Sequence, residues 1–470
     1  MSNSGREVHV LIFPYPAQGH MLPMLDLTHQ LAIRGLTLTV LVTPKNLPTL
    51  NPLLSTHPSI QTLVLPFPHY PSLPTDVENV RDIGNAGNVP IMNALAKLRD
   101  PIIQWFASHP SPPVVLISDF FLGWTLNMAN QLGIPRIVFY SSGAFLTAVS
   151  NFLWHNINTV RSLSVVEFPD LPRSPSFPAE HLPSIFRLYR ESDPDRQILK
   201  DGMLANFSSW GSVFNSFDAA EGEYLDHLRK TGQRRVWGVG PLSLAGGIES
   251  MDRVNPEKEL GEGILPWLDG CPDRSVLYVC FGSQKPLKKD QMDALACALE
   301  RSKTRFIWVV KPVTTQQVEN GHGFITDSFE SRVSGRGVVI KGWAPQKAIL
   351  SHRATGGFLS HCGWNSVLEA IVAGVMILAW PMEADQFVNA KLLVEDREAA
   401  VRVCDGADTV PDSAELAQTI TKAMTGDTNQ KMKAKQLKDA ATEAVKPGGS
   451  SWRDLEGLVE DLALLPREIV

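Results

Sequence analysis

Cysteine is scarce in this chain. Its five cysteines (Cys271, Cys280, Cys297, Cys362 and Cys404) all fall in the second half of 470 residues, and none is spaced C-x-x-C. A disulfide framework and a zinc-finger type of site are therefore excluded, and the pattern fits a reducing compartment. Long apolar runs are missing too: nothing approaches the roughly 18 residues needed to span a bilayer. The run Val8–Phe13 near the amino terminus is too short for a secretory signal, so the cytoplasm is the expected location, with no membrane span. The sequon Asn206-Phe207-Ser208 is accordingly expected to stay unglycosylated. An excess of positive charge is lacking: 43 Lys and Arg against 49 Asp and Glu leave a net charge of −6, so the chain has no electrostatic footprint for nucleic acid. Any anionic ligand must be held by local devices such as helix N-termini. No G-x-x-x-x-G-K-[ST], no G-x-G-x-x-G after the first apolar run, no G-x-S-x-G and no H-E-x-x-H occurs. P-loop, dinucleotide, nucleophile-elbow and zincin chemistries are thereby left without support.

What is present is a repeated alternation of short, continuous apolar runs with helical spacing. Val8–Phe13, Leu36–Thr43, Ile60–Leu65, Val114–Ser118, Ile134–Tyr140 and Val236–Val239 read as buried parallel strands. A second series, Ser275–Phe281, Phe306–Val310, Gly337–Lys341, Gly357–Ser360 and Val375–Ala379, follows a Gly-rich, charged stretch. Residues 160–205, rich in Pro, Ser and Arg, read as irregular structure or short helices. The predicted class is α/β, with two doubly wound Rossmann-like domains facing an interdomain cleft. Residues 1–241 form an amino-terminal Rossmann-like domain, 242–263 a linker and 264–450 a carboxyl-terminal Rossmann-like domain. A last helix over 451–470 packs back on the first domain. Ligands of such sheets bind outside the carboxyl ends of the strands, so chemistry-bearing residues are sought there.

The richest stretch is Gly342–Gln386. Strand Gly357–Ser360 runs into His361-Cys362-Gly363-Trp364-Asn365-Ser366 and then into a helix over Val367–Val372. A turn of small residues opening a helix presents main-chain N–H groups and the positive dipole end to an anion. Asn365, Ser366 and His361 add side-chain donors, and Glu369, one turn on, suits a ribose diol. Trp343-Ala344-Pro345-Gln346 follows another strand, where an exposed indole offers a stacking face. Asp385-Gln386 pairs a carboxylate with an amide, a combination suited to sugar hydroxyls.

This stretch resembles the signature box of plant secondary-product UDP-glycosyltransferases, family 1 enzymes of the two-domain GT-B fold. WAPQ, HCGWNS, Glu369 and Asp385-Gln386 carry the resemblance, together with Pro16–His20 (PAQGH) and Ser118-Asp119-Phe120. Leu41–Asn46 (LVTPKN) is similar to the flavonoid- and benzoate-glucosylating group. The resemblance implies that Trp343 stacks on uracil, that Ala344 and Gln346 contact uracil and ribose, and that Glu369 binds the ribose hydroxyls. It implies that His361, Gly363, Trp364, Asn365, Ser366 and Ser283 hold the diphosphate, that Asp385 and Gln386 bind the sugar, and that Ser141 touches it. His20 is the implied general base and Asp119 the group that orients its imidazole. UDP-glucose is the implied donor, with no metal and no prosthetic group. The acceptor is a phenolic small molecule such as a flavonol or hydroxybenzoate, and the enzyme is a monomer whose transfer inverts the anomeric centre. Another UDP-sugar (rhamnose, galactose or xylose), or a catalytically silent nucleotide-sugar-binding relative, are the alternatives. The acceptor pocket is expected from residues near 85–92, 120–122, 140–146 and 183–207.

Overall fold

The computed structural model describes residues 8–232, 235–245, 263–282, 287–311 and 321–465. The chain divides into two compact units, the first comprising residues up to Ala179, Ile185–Met251 and the chain from Glu443 onward, and the second comprising Glu180–Ser184 and Asp252–Thr442. Most of the expected linker, 246–262, lies outside the described residues.

In the first unit the strands are β1 (His9–Phe13), β2 (Thr37–Val42), β3 (Gln61–Val64), β4 (Val115–Asp119), β5 (Arg136–Tyr140), β8 (Gly211–Phe214) and β9 (Val236–Gly238). They form one sheet in the order β3-β2-β1-β4-β5-β8-β9, and every pair in it is parallel. β1, β4 and β5 are buried along their whole length, as expected of strands covered on both faces. The helix Ser450–Ala463 packs Leu455, Leu458 and Leu462 into the same apolar cluster as Val10, Ile137, Val213 and Trp237. Asp454 fastens this helix to the sheet edge, accepting from the Gly238 amide at 2.7 Å and pairing with Arg229 at 2.9 Å.

The second unit holds β10 (Val276–Cys280), β11 (Arg305–Val310), β12 (Gly337–Lys341), β13 (Thr355–Ser360), β14 (Met376–Ala379) and β15 (Ala400–Arg402). Their order is β12-β11-β10-β13-β14-β15, again parallel throughout. Both sheets start at a central strand, wind outward in one direction and then reverse. The switch point lies between β1 and β4 in one unit and between β10 and β13 in the other. A crevice at such a reversal is where doubly wound sheets bind ligands.

Residues 160–205 were expected to be irregular or to form short helices; the short helices Ala179–His181 and Ser184–Arg187 are there, together with more regular elements. β6 (Val165–Glu167) and β7 (Ser176–Pro178) make a small antiparallel hairpin, and Pro194–Phe207 is a regular helix of 14 residues. Asp193 caps that helix, accepting from the amides of Asp195 and Arg196, and Pro194 occupies its first turn. Its buried face is thin, consisting of Leu199, Met203 and Asn206, so its apolar periodicity is weak. β15 was not anticipated either, because three residues give no readable alternation.

Candidate active site

Two groups of residues sit at the two switch points, and each is described within its own unit. In the first unit His20 lies in the opening turn of the helix Gln18–Ala32. Its amide donates to the Ala17 carbonyl at 2.9 Å. The small and polar Ala17-Gln18-Gly19 reads as loop, yet it packs as a helix start directly after β1. Asp119 is the last residue of β4, on the other side of the switch point, and is fully buried. His20 Nδ1 stands 3.1 Å and 3.0 Å from the two carboxylate oxygens of Asp119. Asp119 Oδ1 also accepts from the Phe121 amide at 2.8 Å, capping the short turn Phe120–Leu122. The capping role and the orienting role thus coexist in one side chain. With Nδ1–H committed to the carboxylate, Nε2 carries the lone pair that can accept a proton.

Aromatic rings box the imidazole. Phe120 stacks on it at 5.3 Å, Phe121 tilts against it at 4.7 Å and Tyr15 meets it edge-on at 5.3 Å. Tyr15 is buried, and burial together with the Asp119 charge holds its hydroxyl protonated well above the usual phenol range. Ser141 follows β5 and is buried. The turn after it is fixed by Glu221, a buried carboxylate that accepts from the amides of Ala144 and Phe145 at 2.8 Å each and from Ser216 Oγ at 2.6 Å.

In the second unit the candidate residues lie on loops that leave the carboxyl ends of β12, β13 and β14. After β12, Gly342 has φ +119 and leads into Trp343, half-exposed, and Ala344, buried. Gln346 opens the next helix, and its Nε2 donates to Glu369 Oε2 at 2.7 Å and to Ser366 Oγ at 3.2 Å. Its Oε1 accepts from the Tyr278 hydroxyl at 3.3 Å. WAPQ and the helix bearing Glu369 are therefore wired to each other as well as being adjacent.

After β13, Cys362 takes the left-handed conformation (φ +65) and its amide donates to Ser360 Oγ at 3.1 Å. Gly363 is the N-cap of the helix Trp364–Ala373 and brings no capping side chain. The helix begins three residues before the Val367 start read from the sequence. Trp, Asn and Ser have middling helix propensity, and a glycine cap leaves little trace in a sequence. The first turn, Trp364-Asn365-Ser366, therefore sits on the positive end of the helix dipole. The Trp364 indole is buried at 3% exposure, so only its main chain can face a ligand there. The His361 ring is wedged between two glycines. A Cβ on Gly282 would lie 2.8 Å from its Nε2, and one on Gly363 would lie 2.7 Å away. Nδ1 of His361 is buried with no hydrogen-bond partner among the described residues, and burial lowers the ring's pKa to about 4. The imidazole is thus neutral at physiological pH. Ser283, next to Gly282, lies outside the described residues.

After β14, Asp385 and Gln386 open the helix Gln386–Lys391. Gln386 is largely buried, and its Oε1 accepts from the amides of Met382 at 2.9 Å and Glu383 at 3.0 Å. Two main-chain donors fix the oxygen end of the amide, so Nε2 is aimed as a donor. Asn389 Nδ2 donates to the Cys362 carbonyl at 2.9 Å and to Asp385 Oδ2 at 2.7 Å, tying this loop to the one after β13. Among the described residues no three His, Cys, Asp or Glu side chains converge as a metal-ligand set.

The model of the glycosyltransferase N-terminal domain matches residues 6–244, and that described as UDP-glucoronosyl and UDP-glucosyl transferase matches residues 226–438. UDP-glycosyltransferase 89A2 of Arabidopsis thaliana is 51% identical over 98% of this chain and 97% of its own length. The chain belongs to the UDP-glycosyltransferase family. Flavonol 3-O-glucosyltransferase UGT89B1 of the same plant is 48% identical over 99% of this chain and 98% of its own. Among solved structures, Arabidopsis thaliana UGT89C1 complexed with UDP-L-rhamnose superposes with a TM-score of 0.80 at 37% identity, covering 98% of this chain and all of that one. This glycosyltransferase therefore has the GT-B fold, and its two sheets are the two Rossmann-like halves of that fold.

Several residues of this UDP-glycosyltransferase that shape the site escaped sequence reasoning. Asn389, Tyr278 and Glu221 each reach a loop far away in sequence through hydrogen bonds that no local spacing announces. Phe120 and Phe121 lie in the 120–122 stretch expected for the acceptor pocket, but their packing on the His20 ring was not read from the sequence. Asn206, the acceptor of the sequon, is 1% exposed, so its amide is closed to a glycan. Among the described residues no helix is long and apolar enough to cross a membrane.

Proposed function

We propose that this UDP-glycosyltransferase transfers glucose from UDP-glucose to a hydroxyl of a phenolic small molecule, such as a flavonol or hydroxybenzoate. His20 Nε2 removes the acceptor proton while Asp119 holds the imidazole tautomer and stabilises the imidazolium that forms. The acceptor oxygen forms its bond to the anomeric carbon as the bond from that carbon to the diphosphate oxygen breaks. UDP leaves with the electron pair, and the configuration inverts. The diphosphate is met by the main-chain N–H groups of Trp364, Asn365 and Ser366, by the Asn365 and Ser366 side chains, and by a neutral N–H of His361. Ser283, beside Gly282, is assigned to the same phosphates. Trp343 stacks on the uracil, Ala344 and Gln346 flank it, and Glu369 binds the ribose hydroxyls. Asp385 and the aimed Nε2 of Gln386 bind the sugar, with Ser141 as a further contact. No metal enters this scheme, since the helix end supplies the charge stabilisation. The five cysteines are free thiols, which fits work in the reducing cytoplasm. One chain carries every residue named, so a monomer suffices.

The observation that carries the reading is the His20–Asp119 pair, a base with a buried orienting carboxylate at a sheet switch point. A nucleotide-sugar binder without catalysis has no use for it. The reading is tested by a donor-by-acceptor screen with mass-spectrometric detection. UDP-glucose with flavonols or hydroxybenzoates is expected to give a mass gain of one hexose. Faster product formation with another UDP-sugar would overturn the glucose assignment, and no product with any pair would overturn the enzyme reading.

A further inference from the structure

Tyr15, two residues beyond β1, is fully buried and works at both ends of its side chain. Its ring meets the His20 imidazole edge-on at 5.3 Å and the Phe121 ring edge-on at 5.0 Å. Its hydroxyl reaches Asn88, the first residue of the helix Asn88–Ala96. There it is shared between the Asn88 side-chain oxygen at 2.9 Å and the Asn88 carbonyl at 3.1 Å. Burial keeps the phenol protonated well above the ordinary range, so it stays a donor. A buried tyrosine hydroxyl finds a partner in most proteins, so a bond to Asn88 is by itself ordinary. What sets this one apart is that the other end of the same side chain rests on the candidate base.

The next residue holds the same segment by its main chain. The Pro16 carbonyl accepts from the Val80 amide at 3.0 Å. Val80 opens the short helix Val80–Ile83, which Asn79 caps by accepting from the Arg81 amide at 3.0 Å. Between the two anchors the chain turns at Gly84, whose φ of +73 suits glycine. The far part of the helix Asn88–Ala96 is fixed separately: Ile91, Met92 and Leu95 are buried, and Asn93 Nδ2 donates to the Asp195 carbonyl at 3.3 Å. Residues 80–88 therefore hang from Tyr15 and Pro16. The same two residues lead into His20 without slack, since the Ala17 amide donates to the Tyr15 carbonyl at 2.8 Å and the His20 amide to the Ala17 carbonyl at 2.9 Å. One short loop thus carries both the candidate base and the start of the 85–92 stretch expected to wall the acceptor pocket.

We propose that Tyr15 is a positioning residue for the acceptor: its ring packs on the His20 imidazole and its hydroxyl holds the start of the helix Asn88–Ala96, so the pocket wall and the general base keep one fixed separation. This rests on the reading of His20 as the general base and of residues 85–92 as pocket wall. The consequence is positional selectivity. A flavonol carries several hydroxyls, and only the one brought within hydrogen-bond reach of Nε2 gives up its proton. A misplacement of about 1 Å is enough to change which one that is. With the Tyr15 hydroxyl gone, the start of the helix is no longer tied to the base, and other hydroxyls of the acceptor come within reach.

The test is steady-state kinetics with UDP-glucose and a flavonol bearing several free hydroxyls, the glucoside isomers being separated by liquid chromatography. Tyr15→Phe keeps the ring and loses only the hydroxyl. The KM of the flavonol is expected to rise about 3- to 10-fold, the size of one neutral hydrogen bond. The KM of UDP-glucose is expected to stay within about twofold, and the minor isomers to gain on the major one. Asn88→Ala removes one of the two acceptors of the hydroxyl and is expected to shift the isomers the same way by less. It decides the matter if Tyr15→Phe does not fold. The double variant is expected to be no worse than Tyr15→Phe alone, because both changes break the same bond. A tyrosine needed only for folding would lower the melting temperature and leave the isomer ratio and the flavonol KM unmoved. An unmoved isomer ratio in folded Tyr15→Phe, or in Asn88→Ala where the former is insoluble, overturns the proposal. So do effects that add in the double variant, or an equal rise in the KM of UDP-glucose. His20→Ala separates the two readings. Surviving turnover there removes the general base itself, whereas a dead His20→Ala beside an unmoved isomer ratio removes only the role of Tyr15.

Discussion

Replacing Gly363 by alanine adds one methyl group at the point where the proposed diphosphate site is tightest. The backbone tolerates it, since Gly363 sits at φ −61 and ψ 143, open to any residue. The obstacle is the His361 ring: the new Cβ would lie 2.7 Å from Nε2, 3.3 Å from Cε1 and 3.4 Å from Cδ2. Unstrained contacts of this kind are about 3.5 Å or longer, so the imidazole must retreat by roughly 0.8 Å. It cannot do so freely, because Nδ1 is buried and the ring is packed against Gly282 as well. Overpacking of this kind costs about 1–3 kcal/mol. Charged to the donor complex, that is roughly a 5- to 150-fold loss in affinity for UDP. Titration calorimetry with UDP measures it directly. Gly270→Ala in the same unit, where the nearest atom would be Trp267 O at 3.4 Å, is the control expected to bind UDP normally. An unchanged Kd in folded Gly363→Ala would refute the placement of the diphosphate between His361 and the helix Trp364–Ala373.

Further predictions concern the donor and pH. Gln386→His replaces an amide whose oxygen is held by two main-chain amides, so the aimed donor is lost. UDP-glucose is expected to lose at least about tenfold against UDP-galactose in a competition assay, and an unchanged ratio would exclude Gln386 from donor selection. His361 is neutral in the free protein down to about pH 4. A nearby diphosphate raises that value, so affinity can strengthen only as pH falls toward the raised pKa and has no proton to lose above it. The Kd of UDP-glucose is therefore expected to change by less than about threefold between pH 8 and pH 6.5. Weakening by tenfold or more as pH rises through that range would mean that an imidazolium holds the phosphates.

Most of the architecture was legible in the sequence because parallel strands buried on both faces leave continuous apolar runs. Val8–Phe13, Ser275–Phe281 and Gly337–Lys341 coincide with β1, β10 and β12 to within a residue at each end. The last helix, expected over 451–470 and found at Ser450–Ala463, was legible for a different reason, its apolar stripe at helical spacing. What could not be read has short or polar causes. β15 is three residues long, and Pro194–Phe207 buries too few apolar side chains to show a period. Of the candidate site, the residues that follow strands were readable, since fold class alone sends ligands there. The hydrogen bonds that fix them were not. Tyr15 and Asn88 are 73 residues apart, and Gln346 and Glu369 are 23 apart. Charge and spacing say nothing about which polar group goes inside; only the packed structure reveals the buried Tyr15 hydroxyl meeting Asn88.

The central claim is that the imidazole of His20, oriented by Asp119, takes the acceptor proton while the nucleotide is held elsewhere in the chain. Steady-state turnover and UDP affinity, measured side by side on His20→Ala, test it most directly. The account predicts a fall in kcat of about 10²- to 10⁴-fold with the Kd of UDP unchanged. Substantial turnover in that variant, or a loss of UDP binding that accounts for the lost activity, would contradict it.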